Sequence, residues 1–325
     1  MQRREFIAGL GGAVAWPLAA RAQQAAMPLI GVLTPGSPGQ IGYEAAFRTG
    51  LGEMGYAEGR NVTIEVRGVQ DLSRLPELAA DLVRRQAAVL VTSGTPAAIA
   101  AKAATTSIPI VFGLGSNPVQ FGLVTSLNRP GGNVTGVIDM DVELVSKRLG
   151  LLQELVPHAE RIAALVNPAS QIAETVNKNV QTAAAAIGRP VEIFNAASSG
   201  DIDMAFAAMV QKRSDAILVG PDPLFALRRV QLISLAARHA IPTIYPSPPR
   251  LFAEAGGLIN YGSNIAERNR QIGIYTGRIL KGEKLADLPV MRPAKFEFII
   301  NLQTAKLLGI TVPATLLATA DEVIQ

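Results

Sequence analysis

Ala88-Val89-Leu90-Val91-Thr92 is a short apolar run, and Thr95-Pro96 then opens a helical pattern over 96–104. A second apolar run, Ile108-Pro109-Ile110-Val111-Phe112, follows at once. The order is strand, turn, helix, strand. Both runs are continuously apolar instead of alternating, which marks strands covered on both faces, as in parallel α/β sheets.

The same rhythm extends in both directions. Toward the N-terminus lie the strand-like runs Leu29–Leu33 and Val62–Val66. Toward the C-terminus come Thr135–Ile138, Arg161–Val166, Val191–Phe194, Ala216–Val219, Ile241–Tyr245, Leu258–Tyr261 and Phe296–Ile300. Helical patterns lie between most of them, at 40–54, 73–86, 142–156, 171–187, 201–212, 223–239 and 264–281. About ten β/α units exceed one ordinary open sheet. The expected architecture is therefore α/β, with two doubly wound parallel-sheet lobes and an interlobe cleft. The boundaries read as 28–138 plus 262–283 for the first lobe and 139–261 plus 290–325 for the second. Pro130-Gly131-Gly132-Asn133 is the expected first crossing region, and Gly256-Gly257 and the Gly282–Pro289 stretch could mark the others.

The N-terminus carries a different message. Arg3 and Arg4 precede an apolar stretch from Ile7 to Ala20, and Ala20-Arg21-Ala22 is a small-x-small cleavage pattern. This is an export signal over 1–22, and Arg3-Arg4 with Phe6 resembles the twin-arginine type. Cleavage after Ala22 would deliver the chain to the periplasm, where no ATP or NADH pool exists. A binding protein or a cofactor-free hydrolase is favoured there over a kinase or dehydrogenase. No later run is long enough to span a bilayer.

Composition narrows the chemistry. Hydrophobic residues make up 49%, enough for a large core. There is no Cys, which removes disulfides and thiolate chemistry, and the two histidines, His158 and His239, are too few for an ordinary zinc site. Both read as partners of helix C-termini. The net charge of +4 is halved on removal of the signal, and no basic run or basic aromatic patch points to nucleic acid. There is no Walker A pattern, G-x-S-x-G elbow or H-E-x-x-H, and no cofactor or metal is expected.

One pattern recurs at the carboxyl ends of the strands: a small polar residue followed by Pro. It appears as Thr34-Pro35, Thr95-Pro96, Asn117-Pro118, Asn167-Pro168, Asp222-Pro223 and Ser247-Pro248. Each reads as a helix start, with a capping side chain and Pro at the first helical position. As a set they mark the crevice where open parallel sheets bind ligands. Helix N-termini suit a carboxylate, and Asp222, the one fixed negative charge among the six, suits an amine. Phe225, Tyr245 and Tyr261 are near in sequence and could pack an apolar ligand body. Asp71 and Asp81 read as solvated charges, and Asp139 and Asp141 as caps. No nucleophile is paired with a base.

Dispersed motifs then carry a family resemblance. They include Gly31-Val32-Leu33-Thr34, Gly59-Arg60-Asn61-Val62, Ile108-Pro109-Ile110-Val111-Phe112 and Asn117-Pro118-Val119. They continue with Pro130-Gly131-Gly132-Asn133-Val134-Thr135-Gly136, Gly256-Gly257-Leu258 with Tyr261-Gly262, and Ile300-Asn301-Leu302. On these the chain resembles the substrate-binding component of ABC transporters, of the tryptophan/tyrosine type. The resemblance implies a type I periplasmic binding fold with three chain crossings, and a small-molecule solute in the cleft. It also implies an inner-membrane ABC permease as partner; a monomer is expected. Positions matching Thr95, Ser116, Asn117, Asp222 and Tyr261 lie in or near the cleft in related sequences. The full candidate set is Thr34, Thr95, Ser116, Asn117, Asn167, Asp222, Tyr245 and Tyr261. Many relatives have Asp where this chain has Asn117, so its pocket is one negative charge poorer. An acid lacking an amine therefore stays open beside an amino acid. The rival readings are an exported cofactor-free α/β enzyme on a small carboxylate, a ligand-sensing partner of a membrane receptor, and a DNA-binding regulator with the same core.

Overall fold

A computed structural model describes residues 27–36, 43–139, 141–292 and 295–325. The expected export signal and its cleavage site lie outside these residues.

The first sheet has the order β2-β1-β3-β4-β5, all parallel. Its strands are β1 (Leu29–Pro35), β2 (Thr63–Val69), β3 (Val89–Ser93), β4 (Ile110–Leu114) and β5 (Val134–Ile138). The second has the order β12-β11-β10-β9-β8-β6-β7. It is built from β6 (Ile162–Val166), β7 (Val191–Asn195), β8 (Ala216–Val219), β9 (Thr243–Tyr245), β10 (Ile259–Ser263), β11 (Phe296–Asn301) and β12 (Glu322–Ile324). Only the β10/β11 pair is antiparallel.

The helices are α1 (Tyr43–Glu53), α2 (Leu75–Arg84), α3 (Thr95–Ala104), α4 (Val145–Leu155), α5 (Ala173–Ile187) and α6 (Ser199–Gln211). They continue as α7 (Pro223–Leu227), α8 (Arg229–Arg238), α9 (Pro249–Glu254), α10 (Ile265–Leu280), α11 (Leu302–Leu307) and α12 (Ala314–Thr319). The pattern read as one helix over 223–239 is two, broken at Arg228. The last three short elements of the chain were not legible as periodic segments.

The continuous apolar strands are sandwiched, as their composition requires. In the first sheet Leu33, Leu90, Ile110 and Phe112 face α2 and α3. Ile30, Val32, Val89, Val91 and Val111 face Phe47 and Leu51 of α1 and Ile272, Tyr275 and Ile279 of α10. Each face of the second sheet has its own cluster in the same way.

The crossings differ from the sequence reading. Pro130–Asn133 is a turn inside the first lobe, where Asn133 Nδ2 donates to the carbonyls of Ile108 and Thr105 at 2.8 and 3.2 Å. The chain leaves the first lobe after β5: Asp139 N still donates to Leu114 O of the first sheet at 2.7 Å, whereas Asp141 pairs with Arg148 of α4. Gly256-Gly257 lies within the second lobe, joining α9 to β10. β10 pairs with β11 through Ser263, so residues 262–263 belong to the second sheet. The second crossing is at Asn264, whose side chain caps α10 by accepting from Glu267 N at 2.7 Å. The 282–291 stretch stays on the first lobe: Thr135 Oγ1 donates to Leu288 O at 2.7 Å and Val290 N to Leu127 O at 2.7 Å. The chain is back beside the second sheet at Lys295, whose carbonyl accepts from Asn264 N at 2.9 Å.

Candidate functional site

The carboxyl ends of β1, β3 and β4 in one lobe face those of β6, β8 and β9 in the other. Between them lies a cavity of about 620 Å³, a size suited to a small organic ligand. The first lobe supplies Pro35, Asp71 and the Ser93-Gly94-Thr95-Pro96 turn. The second supplies Asn167, Ser170, Ile172 and the Asp222–Leu224 turn. Asp139, Asp141, Ile265 and Arg268 line it near the crossings, and Ser247 and Pro248 from the β9–α9 turn of the second lobe.

Three of the eight candidate residues, Thr95, Asn167 and Asp222, come together in this wall. Thr95 stands one residue inside α3, because Gly94 (φ 83°) is the cap and offers no side chain to the first turn. The Thr95 and Ser116 hydroxyls are 2.9 Å apart and both residues are buried. Ser116 thus supports the wall from behind. Asp222 caps α7 as read, accepting from Leu224 N at 2.8 Å, and its Oδ1 also accepts from Asn167 Nδ2 at 3.0 Å. Burial pushes its carboxyl above the ordinary range, against the opposing pull of Asn167, Leu224 N and Ser170.

The other four do not line the cavity. Thr34 lies behind Pro35 and donates to its carbonyl at 3.0 Å. Asn117 closes its own turn by accepting from Val119 N at 3.1 Å. Tyr245 is 1% exposed and stacks on Phe252 at 5.0 Å within the core, where Phe225 is also buried. Tyr261 packs between Phe296 and Phe298, at 6.1 and 6.0 Å. Among the described residues the cavity wall holds no aromatic side chain; Pro35, Pro96, Pro223, Leu224, Ile172 and Ile265 supply its apolar surface.

The repeated polar-Pro pattern is also more varied than its reading as six helix starts. Thr34-Pro35 remains in β1, and Asn117-Pro118 and Asn167-Pro168 open turns. Ser247-Pro248 precedes α9, whose cap is Pro248 itself.

Sequence reasoning missed the floor of the cleft. Asp139 and Asp141 are not helix caps but members of buried ion pairs. Asp139 Oδ2 accepts from Arg268 Nη1 at 2.6 Å. Asp141 pairs with Arg148, which has no exposed surface and also donates to Asp141 O at 3.0 Å and Tyr261 O at 2.8 Å. Burial pushes the Asp139 carboxyl up, opposed by Arg268, and pulls the Arg148 guanidinium down to about 9, still cationic at neutral pH. A signal did exist: Arg148 interrupts the apolar face of α4, and Asp139 directly follows a fully buried strand, with Asp141 two residues on.

The charged lining residues are Asp71, Asp139, Asp141, Asp222 and Arg268, with Arg148 just behind. Two carboxylates are matched by the two guanidinium groups. Asp71 and Asp222 remain, so the cleft is negative overall. Among the described residues no group of three potential metal ligands occurs, and no helix is long and apolar enough to cross a membrane.

Two sheet-centred lobes, three crossings and a polar cleft define a solute-binding protein of the type I periplasmic binding fold. The chain belongs to the ABC transporter substrate binding protein family, which it matches over residues 37–324. This is a family of binding proteins, not enzymes. A tyrosine-binding protein of Clostridioides difficile (strain R20291) is 28% identical over 263 residues, 81% of this chain and 75% of that protein. The structure of an ABC domain in complex with L-Trp from Streptococcus pneumoniae is 30% identical, with a TM-score of 0.83 over 91% of this chain and 99% of that one. The ligand-free, open structure of a substrate binding protein with adhesive properties from Clostridium difficile is 25% identical. Its TM-score is 0.66 over 92% of this chain and 99% of that one.

Proposed function

We propose that this protein captures an α-amino acid between its lobes by hinge closure, and presents it to the permease of an ABC importer from the periplasm. The observation that carries this reading is the composition of the cleft wall. Asp222, on the second lobe and paired with no cation among the described residues, suits an ammonium group. The uncapped start of α3 lines the same cavity from the first lobe and adds partial positive charge for the solute's acidic end. A zwitterion satisfies both, and bridging the lobes stabilises whichever arrangement brings them together.

Two further facts support it. Relatives bind tyrosine or L-Trp. The chain also superposes on the L-Trp complex far better than on the open, ligand-free relative over nearly the same share of its length, as expected for lobes drawn together. The apolar lining by proline and aliphatic side chains accommodates an apolar amino-acid side chain. Export on residues 1–22 gives the periplasmic location.

Calorimetric titration with L-tryptophan, L-tyrosine and the aliphatic amino acids tests the reading. Saturable one-to-one binding of at least one is expected. Binding only to acids without an amine would contradict it.

A further inference from the structure

We infer that Arg268 is the ligand's carboxylate anchor, held at the crossings by Asp139 with one of its donors left for the solute. The inference rests on the amino-acid reading above and names the group that receives the ligand's negative end.

Arg268 is the one cation among the described residues of the cavity wall. It is 8% exposed, so its charge is almost wholly withdrawn from bulk water. A guanidinium has five N–H donors in a planar fork. Nη1 is spent on Asp139 Oδ2 at 2.6 Å, and Nε reaches Asn269 Oδ1 only at 3.4 Å. Among the described residues Nη2 has no hydrogen-bond partner. The Asp139 pair is thus one-pronged, where a structural Arg–carboxylate pair is commonly two-pronged. Burying a charge is costly unless it is fully paired, so an unspent donor edge facing a cavity marks a place for an anion.

The surroundings are built around this group. Gly113 and Gly115, at the end of β4, leave room for it. A Cβ at Gly113 would come within 3.2 Å of Arg268 Nε and 2.8 Å of Ile272 Cδ1. One at Gly115 would come within 2.9 Å of Asp139 Oδ1. Arg268 also lies in the first turn and a half of α10, whose start carries partial positive charge toward Ile265 at the same wall. The remaining lining charges are acidic. A ligand carboxylate therefore has one place in the cleft where a full positive charge can meet it, and Asp222 is left for the amine. Ordering a carboxylate on Arg268 also ties it to the segment through which the lobes hinge.

The test compares ligands that differ only at the carboxylate. The protein is screened by thermal shift against the common L-amino acids. For the best binder, calorimetry then compares the amino acid with its carboxamide, which keeps the amine. Three proteins are used: wild type, Arg268→Gln, and Asp139→Asn/Arg268→Gln, which keeps a neutral hydrogen bond and leaves no unpaired buried carboxylate. Wild type should prefer the amino acid by at least about tenfold. In folded Arg268→Gln or in the double variant, affinity for the amino acid should fall by at least about tenfold and the preference should shrink to within about threefold. A folded variant that keeps the full preference overturns the assignment and leaves the amino-acid reading standing. A wild type that binds none of the amino acids overturns both.

Discussion

Asp141 and Arg148 form a fully buried ion pair that fixes the start of the first crossing to the second lobe, while Asp139, two residues earlier, is fixed to Arg268 on α10 of the first. Arg148 reaches the second crossing as well, through Tyr261 O. Ser247 N adds a weaker 3.3 Å bond to Asp141, and Ser247 Oγ accepts from Ser263 N at 2.8 Å. Each lobe thus holds one of the two aspartates in its own ion pair. Under the hinge closure proposed above, each lobe would move with its own anchor.

Removing one member of the Asp141–Arg148 pair should be costly. Asp141→Ala leaves a buried guanidinium without its counter-charge and should lose about 3–5 kcal/mol of stability. The double variant Asp141→Leu/Arg148→Met should recover most of that loss. Urea denaturation of the three proteins decides it. A single variant within 1 kcal/mol of wild type would mean that the pair adds little to the fold.

Asp222→Asn separates binding from folding. The amide oxygen can still accept from Leu224 N, so the α7 cap survives and the melting temperature should change little. Affinity for an amino acid should fall more than about tenfold, since the charge that meets the amine is gone. Unchanged affinity for a confirmed amine ligand, read by calorimetry, would remove Asp222 from the site.

The raised Asp222 carboxyl gives a pH signature. Amine pairing needs the ionised form, so affinity should decline on acidification at a higher pH than for an exposed aspartate. Stability carries the opposite sign. The folded state holds this proton more tightly than the unfolded state, so the cost of burying the charge is relieved as pH falls through the raised value. Both effects should vanish from the Asp222→Asn protein. A pH profile of affinity identical in the two proteins would assign the titration elsewhere.

Two glycines two residues apart in α1, and so on opposite faces of the helix, should respond oppositely to Ala. A Cβ at Gly50 would overlap the Arg270 carbonyl of α10, so Gly50→Ala should cost about 1–3 kcal/mol by forcing the helices apart. Gly52 has nothing within 4 Å, and Gly52→Ala should gain about 0.5–1 kcal/mol from helix propensity. Thermal denaturation reads both. Equal effects would show that the α1–α10 contact does not limit the fold.

Much of the architecture was legible because apolar runs such as Val89–Val91 and Ile110–Phe112 can only be sandwiched strands. The crossings were less so. Glycine-rich turns such as Pro130–Asn133 look like linkers, but side chains such as Asn133 tie this one into a lobe. Asp222 could be found as a capping residue at a strand end, and Thr95 as a polar residue before proline at another, although Gly94 is the cap there. Tyr245 could not be excluded, because sequence proximity to the cleft does not say which face of a three-residue strand points inward. Asp139 and Arg268 are 129 residues apart, and no local pattern joins them.

Native mass spectrometry of the purified protein, followed by denaturation and identification of what is released, tests the central claim most directly. The prediction is one equivalent of an α-amino acid, or uptake of one equivalent when amino acids are supplied to an empty protein. Release of a solute with no amine, or failure to retain any amino acid supplied, would contradict it.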